Sequence, residues 1–169
     1  MEYSPEGYKN LLTYKQGQEI YQLTKEFTAK YLESIKDSRL IGHMNDSGRS
    51  IPRNISEWAK RNNTKAYLDF LGFSRASLEE LKEDFTELER EYKEGIRKPP
   101  IGMDKDEMIK KIEEILTKIY GEDCMLGRQI EGLKKRYIER GDQKDDLNQK
   151  RKNFQKQQIV NNWRNRYWS

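Results

Sequence analysis

The chain has only one cysteine, Cys124, and only one histidine, His43, among its 169 residues. A single cysteine excludes an internal disulfide framework and is the usage expected in a reducing compartment. The two residues also provide too few nitrogen and sulfur ligands for a zinc site, and no Glu-x-x-His pair stands on two helices as a di-iron bundle requires. We therefore expect no bound metal and no other cofactor.

Long apolar runs are also missing. Hydrophobic residues make up 34% of the chain and charged residues 37%, which is more polar than a usual globular protein. No stretch approaches the ~20 apolar residues that span a bilayer, and the first residues, MEYSPEGYKN, lack the basic-then-apolar order of a signal peptide. These features predict a soluble, cytoplasmic protein.

Catalytic motifs are equally scarce, and no glycine loop of the phosphate-binding kind is present. His43 has polar neighbours at Ser47, Ser50, Asn54 and Glu57. A hydrolase, however, needs a positioned base, a nucleophile and a charge stabiliser together. A lone histidine in a small bundle is more often a surface or hydrogen-bonded residue. We therefore predict no catalytic residues and no enzymatic activity.

Apolar residues spaced three and four apart indicate four amphipathic helices. The clearest stripe, on the third helix, is Tyr67, Leu71, Ser74, Leu78, Leu81, Phe85, Leu88 and Tyr92. The other helices are predicted over about residues 8–35, 41–58 and 104–141. With short connections and no strand pattern, the fold class is all-α, an up-down-up-down four-helix bundle over residues 1–141 with a basic, aromatic extension over 142–169.

Two helices contain residues that disfavour a straight helix. Pro52 removes a backbone hydrogen bond at a cost of about 3 kcal/mol, so it is expected to kink the second helix or divide it near Arg49. On the fourth helix, Asp123 interrupts the apolar stripe and three glycines, Gly121, Gly127 and Gly132, weaken it. A bend or break is expected there.

Charge is distributed unevenly although the net charge is only +4. Residues 39–65 carry six Lys or Arg against two acids, residues 77–94 carry eight acids against three basic residues, and residues 147–169 carry six basic residues and no acid. Opposite charges therefore concentrate on different helices, and positive charge returns at the C-terminus.

The positive segments supply the candidate nucleic-acid-binding residues, because Lys and Arg neutralise phosphates. Arg49, Arg53 and Lys60 share one face of the second helix at helical spacing, and Arg61 and Lys65 continue it. The candidates in the extension are Lys150, Arg151, Lys152, Trp163, Arg164, Arg166 and Trp168. The basic face could equally be a solvated surface, and the terminal aromatic rings could stack on unpaired bases or dock on a neighbouring subunit.

Three further polar residues, Asn54, Glu57 and Glu80, are predicted to form a buried structural network. Polar groups between helices must satisfy one another by hydrogen bonds, and such a network fixes helix register. Direct ligand contact is the alternative for Asn54 and Glu80.

Residues 48–81, GRSIPRNISEWAKRNNTKAYLDFLGFSRASLEEL, contain an R-S-I-x-x-N-I-x-E segment, a basic turn and a later S-L-x-E-L. This pattern resembles the bacterial four-helix-bundle family of ribosomal-RNA intervening-sequence proteins. The same superfamily includes the accessory variability proteins of diversity-generating retroelements. The stretch MLGRQIEGLKKRYIERG resembles family variants with a C-terminal suffix.

The resemblance implies a bundle that self-associates, as a barrel-like pentamer in the accessory proteins, and binds nucleic acid or a reverse transcriptase through a basic surface. Independently, Tyr14, Tyr21, Trp58 and Phe73 lie outside the core stripes and predict a homo-oligomer larger than a dimer. We therefore expect a non-enzymatic RNA- or DNA-binding accessory protein with a chaperone-like role. The alternative is a scaffold that docks a partner enzyme without contacting nucleic acid.

Overall fold

The computed structural model of the protein describes residues 7–57, 64–141, 149 and 151–161. After a 3₁₀ turn at Gly7–Asn10, the helices are α1 (Leu12–Tyr31), α2 (Ser38–Glu57), α3 (Thr64–Lys93) and α4 (Lys105–Arg140). Residues 151–161 are also helical, and all their side chains are exposed. The described ranges contain no strand, so the all-α prediction is confirmed.

Hydrogen bonds and close contacts between helices show that neighbours run antiparallel. In each pair of helices the residue numbers rise on one helix as they fall on the other. The contacts are Gly17–Ile51 and Thr28–Asn45 for α1 and α2, His43–Asp84 and Ser74–Ile51 for α2 and α3, Tyr67–Gln129 and Arg75–Asp123 for α3 and α4, and Thr13–Gln129 and Glu19–Lys118 for α1 and α4. Because α4 also packs on α1, the helices close into the predicted up-down-up-down bundle.

The core forms along the predicted apolar stripes. On α3 the stripe is buried from Leu71 to Tyr92, and Tyr67, its first member, is partly buried. Each Leu, Ile or Phe removed from water in this way contributes about 1.5–3 kcal/mol, and such packing of an apolar face supplies most of the stability of helices in proteins. No helix within the described ranges has the length and apolar character to cross a membrane.

The first helix is shorter than predicted, because α1 ends at Tyr31 and not near residue 35. Leu32 adopts an extended backbone, and its side chain is buried in the core. The Glu33 N–H donates to the carboxylate of Asp37 at 2.9 Å, and this bond organises the turn into α2. The other end of the bundle follows the prediction, since Gly141 ends α4 with a positive φ of 71°, which glycine adopts without strain.

Neither helix is divided at the predicted positions. The helix α2 continues through Pro52, which is buried, and is held from both sides. Ser74 of α3 donates a hydrogen bond to the Ile51 carbonyl at 2.9 Å, and Gly17 of α1 contacts the same turn. The helix α4 is likewise continuous past its three glycines. Its buried stripe continues through Glu122 and not through Asp123, which forms an ion pair with Arg75.

Candidate nucleic-acid interface

A groove of about 430 Å³ lies between α1 and α2. Two glycines allow the helices to approach closely beside it. A Cβ atom at Gly17 would lie 3.0 Å from the Cγ2 atom of Ile51, and one at Gly48 would lie 3.4 Å from the ring of Tyr21. The side chains that line the groove are Tyr14, Gln18, Tyr21 and Gln22 of α1 and Arg49, Pro52, Arg53 and Ser56 of α2.

The arginines supply positive charge along the α2 wall. The Nη2 atom of Arg49 donates to Asp46 at 3.1 Å, but both side chains are more than half exposed, at 56% and 74%. Water screens such a pair, so it restrains the guanidinium only weakly. The Arg53 guanidinium is exposed, and no residue in the described part of the chain forms an ion pair with it. Both arginines are therefore accessible to an anion.

The tyrosines supply aromatic surface along the α1 wall. The ring of Tyr21 packs beside Gly48, and the Nζ atom of Lys25 lies 5.7 Å from the ring centroid. The hydroxyl of Tyr14 accepts a hydrogen bond from Gln18 at 3.1 Å, and its ring packs edge-on against Tyr8. From the sequence, these tyrosines are predicted to contribute to an assembly surface. Their place opposite the arginines depends on the register of α1 on α2, although their spacing of seven residues does indicate a shared helix face.

Residues 9–121 match the family model described as 23S rRNA-intervening sequence protein. The chain belongs to this family. The match covers both walls of the groove and all of α3, and it stops within α4 at Gly121. No curated protein and no solved structure matches the chain. The resemblance to intervening-sequence proteins is thus confirmed by a match over well more than half of the residues.

Arg49 and Arg53 are the two predicted phosphate-binding residues that the structure of this family member brings together. Lys65 lies at the exposed start of α3, and Arg151 and Lys152 are exposed on the C-terminal helical segment; none of these three lines the groove. The other candidates lie outside the described residues: Lys60, Arg61, Lys150, Trp163, Arg164, Arg166 and Trp168.

The residues predicted as a structural polar network lie at separate places. Glu80 is exposed and accepts a hydrogen bond from Ser47 at 3.0 Å, which joins α3 to α2. Asn54 and Glu57 lie about two and three turns beyond Ser47 on α2, and both are partly buried. The cross-helix polar contacts of the intervening-sequence bundle thus include Ser47, a residue that the sequence did not single out for this role.

The polar residues around His43 engage different carboxylates of α3. The Nδ1 atom of His43 lies 2.6 Å from Asp84, whose hydrogen bond raises the pKa of the imidazole above its ordinary value. Ser47 instead donates to Glu80. Within the described ranges, no group of three His, Cys, Asp or Glu side chains is arranged to hold a metal ion.

Proposed function

We propose that this member of the intervening-sequence family is a non-enzymatic accessory protein that binds nucleic acid through the α1–α2 groove. The observation that carries the proposal is the presence of Arg49 and Arg53 in one exposed groove, where neither has a buried carboxylate partner. Guanidinium groups match phosphate oxygens with paired N–H donors. The family description refers to 23S rRNA, which favours RNA over DNA as the ligand.

The wider role follows from the resemblance noted in the sequence. We extend the proposal to a chaperone-like function on RNA or DNA in the cytoplasm, carried out by a homo-oligomer, with a pentamer as the expected assembly and a retroelement reverse transcriptase as a candidate protein partner. The absence of catalysis is part of the proposal. It is supported by His43 and Ser47, which are hydrogen-bonded to separate carboxylates and not to each other.

The test replaces both arginines, Arg49→Gln with Arg53→Gln, and measures RNA affinity over a series of salt concentrations. Each lost phosphate contact should flatten the plot of log K against log salt by about 0.7 for a single strand, and affinity should fall for every sequence. Melting should hardly change, because both side chains are exposed.

The matched control is Arg39→Gln with Arg128→Gln, which removes the same charge from exposed positions outside the groove. We expect it to leave the salt slope near that of the unmodified protein. Equal losses in both double variants would mean that the groove has no special role and that binding reflects net charge alone.

A scaffold that docks a partner enzyme is the second candidate. Phe154, Ile159 and Val160 on the C-terminal helical segment are 64%, 60% and 56% exposed, and apolar side chains so accessible commonly mark a protein contact. Salt distinguishes the candidates, since phosphate binding weakens steeply with added salt and apolar docking does not.

A further inference from the structure

The α1–α2 groove combines two chemistries that the sequence does not place together. Tyr14 and Tyr21 stand two turns apart on one wall, and Arg49 and Arg53 stand one turn apart on the other. The volume of about 430 Å³ falls within the ~300–1,000 Å³ of pockets that hold small organic groups. The groove therefore has room for one flat group beside its charged neighbours.

Core packing does not account for both tyrosines. Tyr14 is among the partly buried residues that pack on the core, but Tyr21 is not. Its ring lies against the small surface of Gly48 and remains partly exposed toward the groove. The Nζ atom of Lys25 also lies 5.7 Å from the ring centroid, and the part of the ring that stays exposed is the surface available to a base.

We infer that the groove binds an unpaired nucleotide of a single-stranded RNA, whose base stacks on Tyr21 and Tyr14 while Arg49 and Arg53 bind its phosphates. The inference rests on the proposed function and specifies its ligand. An aromatic ring recessed between two helices can reach a base only if that base is unpaired, because the major groove of an RNA duplex is too deep and narrow for side chains.

Binding in the groove should tolerate different sequences. The amide nitrogen of Gln18 donates to Tyr14 and that of Gln22 donates to Glu26 at 2.8 Å, so both side chains are held by neighbours on α1. Stacking on a tyrosine ring does not depend on sequence, because every base has a face that can stack.

The experiment compares a short single-stranded RNA, an abasic strand with the same number of phosphates, and an RNA duplex. The unmodified protein should bind the RNA strand most tightly. Tyr21→Leu should weaken that binding by roughly 5- to 150-fold, from about 1–3 kcal/mol for one stacked base, and should leave the affinity for the abasic strand and the salt slope unchanged. Tyr21→Phe, which keeps the ring, should retain most of the affinity.

The matched control is Tyr120→Leu. Tyr120 is 54% exposed on α4 with the Nζ atom of Lys82 lying 5.9 Å from its ring centroid, so it resembles Tyr21 in chemistry but lies outside the groove. It should leave all three affinities unchanged. Because the comparison of RNA with abasic strand uses the unmodified protein, the inference remains testable if Tyr21→Leu fails to fold.

The two proposals fail in different ways. Equal affinity of the unmodified protein for RNA and abasic strands, or a preference for duplex, overturns the single-strand inference but leaves phosphate binding intact. If the arginine double variant binds RNA as well as the unmodified protein, the proposed function is wrong. If Tyr21→Leu lowers the mass of the assembly in light scattering but not the preference for bases, the tyrosines form a contact between subunits and the stacking inference is overturned.

Discussion

Two carboxylates are buried among the residues that the structure describes, and their surroundings are opposite. Asp37, in the turn between α1 and α2, is 6% exposed. It accepts two hydrogen bonds from the Arg97 guanidinium and one from the Glu33 N–H, all at 2.9 Å. Glu122, in the middle of α4, is 0% exposed, and neither of its oxygens has a hydrogen-bond partner in the described part of the chain.

The difference decides which carboxyl group is charged. Burial alone would raise the pKa of Asp37, but the Glu33 N–H and the Arg97 guanidinium outweigh burial and hold that pKa below its ordinary value. For Glu122, burial acts without opposition and raises the pKa to about 8. At neutral pH the first group is therefore ionised and the second mostly retains its proton, so partners and not burial determine the charge state.

The two sites also differ in what they hold together. Arg97 bonds to Glu91 as well, at 2.7 Å, so the cluster links the end of α3 to the turn that precedes α2. The carboxyl group of Glu122 joins no two elements within the described ranges, and its side chain occupies a stripe position between Ile119 and Leu126. A buried polar group without a partner destabilises the fold, whereas removing one member of a buried ion pair leaves its partner uncompensated.

The largest effect is expected when Glu122→Gln replaces the buried ionisable carboxyl group with an amide. The folded protein binds the proton of the Glu122 carboxyl group more tightly than the unfolded chain does. As the pH rises from the ordinary pKa of 4.5 to about 8, the stability of the protein should therefore fall by ~1.4 kcal/mol for each pH unit. The amide resembles the protonated acid and does not ionise. The variant should therefore be more stable by about 3 kcal/mol at pH 7, as measured by urea unfolding.

Two controls accompany this measurement. Below pH 4.5 the carboxyl group is protonated in both folded and unfolded states, so the advantage of Glu122→Gln should disappear there. Glu114→Gln changes an exposed glutamate of the same helix and should have little effect at any pH. A constant difference between Glu122→Gln and the unmodified protein from pH 4 to pH 9 would show that Glu122 has an ordinary pKa.

The next largest effect is expected for Asp37→Asn. Removing one partner of a buried ion pair typically costs about 3–5 kcal/mol, and we expect at most the lower end of that range because Arg97 retains Glu91. The pH dependence should be opposite to that of Glu122. The lowered pKa means that the stability from Asp37 is present above its unfolded pKa of 3.8 and is lost as the pH falls through the folded value.

Unfolding at pH 7 measures the cost of Asp37→Asn, with Asp69→Asn at an exposed position of α3 as the matched control. The cost should shrink as the pH falls below the folded pKa of Asp37. Equal stability of the two asparagine variants would mean that Arg97 and Glu91 hold this end of the bundle without Asp37.

The buried stripe of α3 was predictable because helical periodicity converts directly into burial. Leu71, Leu78 and Phe85 are 0–1% exposed, as their spacing indicates. The end of α1 was not predictable, since Asp37 is fixed by Arg97, which lies 60 residues away in the sequence. Glu122 was missed for a local reason. Successive residues of a helix are rotated by about 100°, so placing the interruption at Asp123 assigned the wrong acid to the core.

In the candidate site, too, some features are predictable from the sequence and others are not. The shared face of Arg49 and Arg53 follows from their spacing of four on one helix. The position of Tyr21 opposite them requires the packing of α1 on α2, which is set by contacts of Gly17 and Gly48. Spacing along one helix predicts which residues share a face, but it does not predict which faces of two helices meet.

The smallest effect is expected at a third carboxylate, Asp84, which is only partly buried and pairs with the half-exposed His43. The Asp84 hydrogen bond raises the pKa of His43. The stability that the His43–Asp84 pair contributes is therefore fully present below the ordinary histidine pKa of 6.5. It is lost as the pH rises through the pKa of His43 in the folded protein. Because His43 is the only histidine, its NMR signal can be titrated without assignment, and Asp84→Asn should lower the measured pKa.

Glu83→Gln, at the exposed neighbouring position, should lower the pKa of His43 much less. The change in unfolding free energy should stay below ~1 kcal/mol, since water screens a pair this exposed. An unchanged histidine titration in Asp84→Asn would show that the two side chains do not interact in solution.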